Sequence, residues 1–238
     1  MTDRDFCFKQ FKISQSDCAM KVGTDGVLLG AWASLPTQGN ILDIGAGTGI
    51  LSLMAAQRSQ QATITGIEID NAAARQARSN AGESPWCDRI NIVNSDFAQW
   101  ATATQQQFDS ILSNPPYFEQ SLLSPDAART TARHTTSLQY ETIFELSRRL
   151  ILPQGTLSLI IPTALYTHVN SIAMLHGWGA TRHTQVHTTP RKAAKRSLCE
   201  WQRNHYAPCQ ENTLYIHDAV GNYTAEFIEL TRQFYLQF

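Results

Sequence analysis

The sequence predicts an α/β fold with a parallel central sheet, and three observations carry that reading. Strand-like apolar runs alternate with segments of helical spacing from about residue 40 onward. A glycine-rich turn joins the first strand of that alternation to its first helix, as in βαβ units. The 238 residues are 42% hydrophobic and 16% charged, enough for one sizeable domain with a core but short for two.

In chain order, the first 35 residues hold a hairpin pattern over Phe6 to Val22 and a helix beginning near Thr24, where Thr24-Asp25-Gly26 reads as an N-cap. Ile41-Leu42-Asp43-Ile44 is a short apolar strand, and Ile50 to Arg58 is the helix after its glycine turn. Ala62 to Glu68 is a second strand, followed by an alanine-rich helix from Asn71 to Ala81. Arg89 to Asn94 is a third strand and Phe108 to Ser113 a fourth. Leu138 to Leu152 has helical spacing, and Thr156 to Ile161 is a fifth strand that Pro162 ends. This alternation implies right-handed crossovers. After residue 177 strand-like stretches crowd together at about 179–188, 197–206 and 212–217, and a terminal helix near 223–235 closes the chain. The whole reads as a single domain, 1–238, with a hairpin/helix extension over 1–35 and an α/β core over 36–238.

Composition narrows the function classes. A net charge of −1 excludes a uniformly basic protein but leaves room for a local basic patch. The five cysteines are scattered and form no C-x-x-C pair, which fits reduced thiols better than disulfides or a zinc site, so no metal is expected. No apolar signal region follows Met1-Thr2-Asp3-Arg4-Asp5, and no run reaches the roughly 18 apolar residues of a membrane helix. A cytoplasmic protein without a membrane partner is expected.

The most informative stretch is Asn114-Pro115-Pro116-Tyr117, just past the fourth strand. Two prolines cannot continue a sheet ladder, so the chain leaves in a stiff, extended turn. The Asn114 carboxamide and the Pro115 carbonyl are acceptors of the kind that an NH2 group needs, and Tyr117 adds an aromatic wall. A plain strand-to-helix loop has the same punctuation. Upstream, Asp43-Ile44-Gly45-Ala46-Gly47-Thr48-Gly49 is a glycine turn spaced G-x-G-x-G, unlike the dehydrogenase pattern, and no P-loop lysine follows it. Glu68 ends the second strand, where a carboxylate can accept from both hydroxyls of a ribose, and Ser95-Asp96-Phe97 puts a carboxylate and a ring at the end of the third. Ligands of parallel sheets bind at such strand ends, so a nucleoside-cofactor site is expected.

Together these motifs resemble the class I S-adenosylmethionine-dependent methyltransferases over roughly residues 40 to 217. The resemblance implies a Rossmann-like, mostly parallel seven-stranded sheet with an antiparallel C-terminal strand pair. It implies S-adenosylmethionine as cofactor, with Gly45, Gly47, Gly49 and Asp43 at its methionine end. Glu68 would then take the ribose, and Asp96 and Phe97 the adenine. Asn114, Pro115 and Tyr117 would hold the group that is methylated. The leader Ala19 to Trp32, Ala132-Arg133-His134 and Pro190 to Arg196 further resemble the bacterial family that methylates N6 of adenosine 37 in the valine tRNA anticodon loop. On that likeness Thr24 and Asp25 close over the methionine end of the cofactor.

The partner implied is a tRNA anticodon stem-loop, and the residues suggest where it lies. Arg182, Arg191, Lys192, Lys195, Arg196 and Arg203 fall within a short span against the single acid Glu200, which suits a phosphate-tracking patch; Arg133 joins it by resemblance. Arg129, Arg148 and Arg149 are further candidates. Trp201 and Tyr206 are open between base stacking and core, and His134 between catalysis and structure. Rival readings are a glutamine N5-methyltransferase of a release factor, a guanine N2-methyltransferase of ribosomal RNA, and an RNA-binding protein on a methyltransferase scaffold. The short leader before the glycine loop disfavours the first, and intact Asp43, Glu68, Asp96 and Asn114 disfavour the last.

Overall fold

The computed structural model describes residues 5–15, 22–116 and 139–238. An antiparallel pair, β1 (Asp5–Cys7) and β2 (Lys12–Ser14), opens the described chain, and α1 (Thr24–Trp32) comes next. The alternation is β3 (Gln38–Ile44), α2 (Ile50–Arg58), β4 (Gln61–Glu68), α3 (Asn71–Gly82), β5 (Ile90–Asn94), α4 (Phe97–Ala103) and β6 (Phe108–Ser113). Then follow α5 (Tyr140–Leu150), β7 (Ile151–Pro162), α6 (Tyr166–Leu175), β8 (Trp178–His187), β9 (Arg196–Arg203), β10 (Gln210–Tyr215) and α7 (Ala225–Thr231). One local reading needs correction. Gly23 occupies the N-cap position of α1 with no side-chain cap, and Thr24 is already helical, so Thr24-Asp25-Gly26 is the first turn rather than the cap.

The large sheet runs β10-β8-β9-β7-β6-β3-β4-β5. β7, β6, β3, β4 and β5 are parallel, and β9 is antiparallel to both β7 and β8. The eight strands are one more than the resemblance implied. The addition is β10, which lies parallel to β8 at the edge, where its outer residues are mostly exposed.

Strand periodicity explains the layers, because successive side chains point to opposite faces. In β3, Leu42 and Ile44 enter one apolar cluster while Ile41 enters another; in β7, Leu157, Leu159 and Ile161 divide from Ile160 in the same way. The first cluster lies under α5 and α6, with Phe144, Val169, Trp178 and Trp201. The second lies under α1, α2 and α7, with Leu28, Leu51, Ala55 and Phe227. The opening hairpin packs on this second side, where Phe8, Phe11 and Ile13 meet Val27, Leu53, Met54 and Phe234. From β3 the chain winds outward through β4 to β5, then returns to β6 on the other side of β3. That reversal positions the site.

Candidate active site

Ligands of open parallel sheets settle where the winding reverses, beyond the carboxyl ends of the strands. Here the reversal falls between β3 and β6. Ser113 pairs with Ile44, Ile44 with Ile67, and Glu68 with Asn94, so four strand ends stand side by side. Asn114-Pro115-Pro116, the glycine loop, Glu68 and Ser95-Asp96 are therefore neighbours along one edge of the sheet.

Gly45, Gly47 and Gly49 all have positive φ (75°, 55° and 83°). A β-carbon at Gly45 or Gly47 would meet nothing within 4 Å, whereas one at Gly49 would press on the Ala77 Cβ at 3.3 Å. The first two glycines thus leave an open cradle, and the third lets α2 pack closely on α3. The loop is pinned from below. The Gly45 and Ala46 amides both donate to the Ile67 carbonyl at 2.9 and 3.0 Å, and the Gly47 amide donates to Glu68 Oε2 at 2.7 Å.

Asp43 is fully buried beneath this loop. Its Oδ2 accepts from the Ser52 amide at 3.0 Å and from Ser52 Oγ at 2.7 Å. Gly49, at the N-cap of α2, has no side chain to offer, so Asp43 supplies both the missing acceptor and a negative charge at the positive end of the helix. Asp43 Oδ1 is buried with no partner. Burial pushes the carboxyl up to about 7; the Ser52 bonds pull it down, and the Glu68 charge adds to the rise. An orphaned buried carboxylate oxygen under an open glycine cradle suits a ligand that brings positive charge.

Glu68 is 8% exposed. Its Oε1 accepts from the Asp70 amide at 2.8 Å, so each oxygen already holds one amide. A carboxylate has about four acceptor sites, which leaves one per oxygen for a pair of hydroxyls. Asn94 Nδ2 bonds the Glu68 and Ile69 carbonyls at 2.8 and 3.0 Å and fixes that strand end. Asp96 caps α4, its Oδ1 accepting from the Gln99 amide at 3.0 Å. The Phe97 ring lies in the core cluster. Asn114 is half-buried and Pro115 buried, and Ser113 Oγ donates to the Ile44 carbonyl at 2.7 Å, tying the tetrad's strand to the glycine loop's strand. Tyr117, Arg129, Arg133 and His134 lie outside the described residues.

Thr24 and Asp25 stand apart from these strand ends, in the first turn of α1. Asp25 Oδ2 accepts from Arg196 Nε at 2.7 Å across to the start of β9. Gly26 in that same turn packs on Ile50, the residue after the loop, so the turn borders the cradle. The basic residues separate by role. Arg191, Lys192 and Lys195 are exposed. Arg182 pairs with Glu200 at 3.3 Å and lies 3.7 Å over the Trp32 ring. Arg149 donates to the Ala101, Thr102 and Thr104 carbonyls at the end of α4, so it caps a helix. Trp201 is fully buried, with Nε1 donating to Asn170 Oδ1 at 3.0 Å, while Tyr206 is 90% exposed.

Three supporting residues escaped the sequence reading. Ser52 and Asn94 are described above. Asn80 is 3% exposed; its Nδ2 donates to the Thr48 and Ser14 carbonyls and its Oδ1 accepts from the Ser14 amide, joining the hairpin to the glycine loop. Their signal is faint: single polar residues at positions where helix and strand periodicity asks for apolar ones.

Comparison with known proteins agrees with this geometry. The family model "Methyltransferase small domain" matches residues 22–168. The chain is 45% identical over 240 residues to the tRNA1(Val) (adenine(37)-N6)-methyltransferase of Porphyromonas gingivalis, covering 97% of this chain and 94% of that protein. The Bacteroides thetaiotaomicron protein of the same name is 45% identical over 237 residues, covering 99% of each. In fold the chain is similar to the crystal structure of a predicted O-methyltransferase from Agrobacterium tumefaciens, with a TM-score of 0.71 over 88% of this chain and 96% of that one at 21% identity. A doubly wound sheet, a family match over most of the chain and relatives alike along their whole length agree: the chain belongs to the methyltransferase small-domain family, alongside the bacterial enzymes that carry the tRNA1(Val) name.

Proposed function

We propose that this protein transfers a methyl group from S-adenosylmethionine to N6 of an adenosine in tRNA, at position 37 of the valine tRNA anticodon loop. The observation that carries the chemistry is the adjacency of the Asn114-Pro115 exit to the open glycine cradle, enforced by the pairing of Ser113 with Ile44. The substrate rests on the names of relatives at 45% identity.

When bound, S-adenosylmethionine supplies a methyl carbon made electrophilic by its sulfonium. The residues fit it. Gly45 and Gly47 give backbone room at its methionine end, with the unpartnered Asp43 oxygen beneath, and Gly49 lets α2 start close against α3. Glu68 has acceptor sites for the ribose, and Asp96 and Phe97 begin α4 where the adenine would lie. The first turn of α1, which holds Thr24 and Asp25 and packs on Ile50 through Gly26, borders the methionine end.

An exocyclic aromatic amine is a weak nucleophile because its lone pair is delocalised into the ring. Asn114 Oδ1 and the Pro115 carbonyl accept its two N–H groups, which draws the nitrogen toward tetrahedral geometry and concentrates the lone pair. Tyr117 stacks on the base, a contact worth about 1–3 kcal/mol. The nitrogen gives up its proton only after the methyl has arrived, so no strong base is required. Catalysis is then positioning and polarisation by fixed acceptors. A stacked base must first turn out of its loop into the slot. Arg133, Arg191, Lys192, Lys195 and Arg196 hold the RNA backbone in this proposal.

Single-domain organisation over 1–238 is part of the same reading, supported by the hairpin's packing against α1, α2 and the C-terminal Phe234. No helix among the described residues is long and apolar enough to cross a membrane, and a cytoplasmic site of action is proposed because a tRNA substrate lies there. The test is methyl transfer from labelled cofactor to small RNA from a strain lacking the gene, followed by nucleoside digestion. N6-methyladenosine is expected. Label in N2-methylguanosine, or in protein alone, would overturn the assignment in favour of one of the rivals.

A further inference from the structure

Across α1 from the glycine loop lies a cavity of about 690 Å3 that shares only the first turn of α1, Thr24 and Asp25, with the proposed cofactor site. The first turn of α1 is the wall between the two: Gly26 faces Ile50, while Thr24 and Leu28, on the opposite side of the helix, face the cavity. Leu28, Val186, Ile216 and Phe227 form its apolar floor. Five of the residues lining it carry rings: Phe6, His217, Tyr223, Phe227 and Tyr235. Three of these make a ladder. The His217 and Tyr223 rings are 4.6 Å apart at 29°, and Tyr223 and Phe227 5.2 Å apart at 12°. The His217 amide bonds the Thr188 carbonyl at 3.0 Å, which fixes the outer rung.

The rim is basic. Lys195 and Arg196 line it, with Arg191 and Lys192 exposed in the same loop. The lining includes one acid, Asp25, already paired with Arg196. The volume falls in the range of roughly 300–1,000 Å3 typical of small-molecule sites. A ring ladder beside cations is how proteins hold unpaired nucleotides, the base on the rings and the phosphate on the cations. Location agrees. Arg196 begins β9 and His187 ends β8, two and three strands from Asn114 along the same edge of the sheet. At roughly 4.8 Å per strand this is about 10–14 Å, a span that a few unstacked nucleotides cover.

We propose that this cavity binds an unstacked base flanking the target adenosine in the substrate RNA, its ring against the His217–Tyr223 ladder and its phosphate at Lys195. The proposal rests on the RNA reading above and adds a second nucleotide pocket to it. The enzyme holds its substrate at two points, with the target base in the Asn114 slot and a neighbour across α1.

The test uses the full chain with cofactor and an anticodon stem-loop carrying 2-aminopurine in turn at each position beside the target. One position is expected to lose fluorescence on binding, from ring stacking. Tyr223→Leu and His217→Leu are expected to abolish that quench and raise KM for RNA roughly tenfold, with kcat at saturating RNA and cofactor affinity unchanged. Tyr223→Phe, which keeps the ring, should restore both. Leucine variants with wild-type KM and wild-type quench would overturn the pocket, and so would a phenylalanine variant as poor as leucine. Wild-type protein that binds and quenches but forms no N6-methyladenosine would instead sink the reading of the Asn114 slot.

Discussion

Asp43→Asn isolates the buried carboxylate under the glycine loop, and its effect on stability can be worked out. The carboxyl sits at about 7 in the folded protein against an ordinary 3.8. A folded value above the unfolded one means that the group's stabilising contribution is complete below pH 3.8 and is lost as pH rises through 7. At about 1.36 kcal/mol per pH unit over that interval, the loss is up to about 4 kcal/mol, of which about 3 kcal/mol falls between pH 5 and pH 8. Urea denaturation of the cofactor-free protein, wild type against Asp43→Asn, cancels the other titrating groups. The wild type should lose about 3 kcal/mol relative to the variant on going from pH 5 to pH 8. A second readout comes from the cofactor. Positive charge above the loop favours the ionised carboxylate, so wild-type affinity for S-adenosylmethionine should strengthen by roughly tenfold between pH 6 and pH 8, with a proton released on binding near pH 7. The variant should show neither. Identical pH slopes in stability and in binding for the two proteins would refute this account of Asp43.

Other positions give independent predictions. Asn114→Ala should lower kcat about 100-fold, the scale for losing one preorganised polar group at a reacting centre, with the calorimetric Kd for cofactor within about twofold of wild type. Gly47→Ala should fold, because nothing lies within 4 Å of the added carbon, at about 1 kcal/mol for the left-handed backbone. The same methyl occupies the cradle, so titration should show cofactor binding weakened by at least about tenfold. Asn80→Leu should cost roughly 2–4 kcal/mol in denaturant melts, since it strands the Ser14 amide and the Thr48 and Ser14 carbonyls. Charge reversal at Arg191 and Lys195 should weaken RNA binding and flatten its dependence on salt by about 0.7 in log–log slope per lost phosphate contact.

The sequence made the sheet's winding legible because each buried strand is a short apolar run closed by a distinctive end. Ile44 before the glycines, Glu68 and Ser113 before the prolines mark the edge where the site lies. Such runs read locally, and the strand order follows from βαβ connectivity. Pairing between distant segments was not legible. The Arg196–Asp25 bond joins residues 171 apart, and nothing near either one announces it. Arg182 and Arg149 counted as positive charge in sequence, yet one is spent on Glu200 and Trp32 and the other on carbonyls at a helix end. Trp201 and Tyr206 looked alike. The strand buries the first and the loop beyond it exposes the second, because β9 ends at Arg203. The edge strand β10 was visible as a run, but its pairing with β8 rather than β9 depends on tertiary packing.

The Asn114 slot is proposed to methylate N6 of one adenosine in tRNA. The most direct measurement is methyl transfer by the full chain to valine tRNA transcripts with adenosine or guanosine at position 37. N6-methyladenosine is expected from the first transcript and background label from the second. Equal label in both, or none in either while release factor becomes methylated, would contradict that assignment.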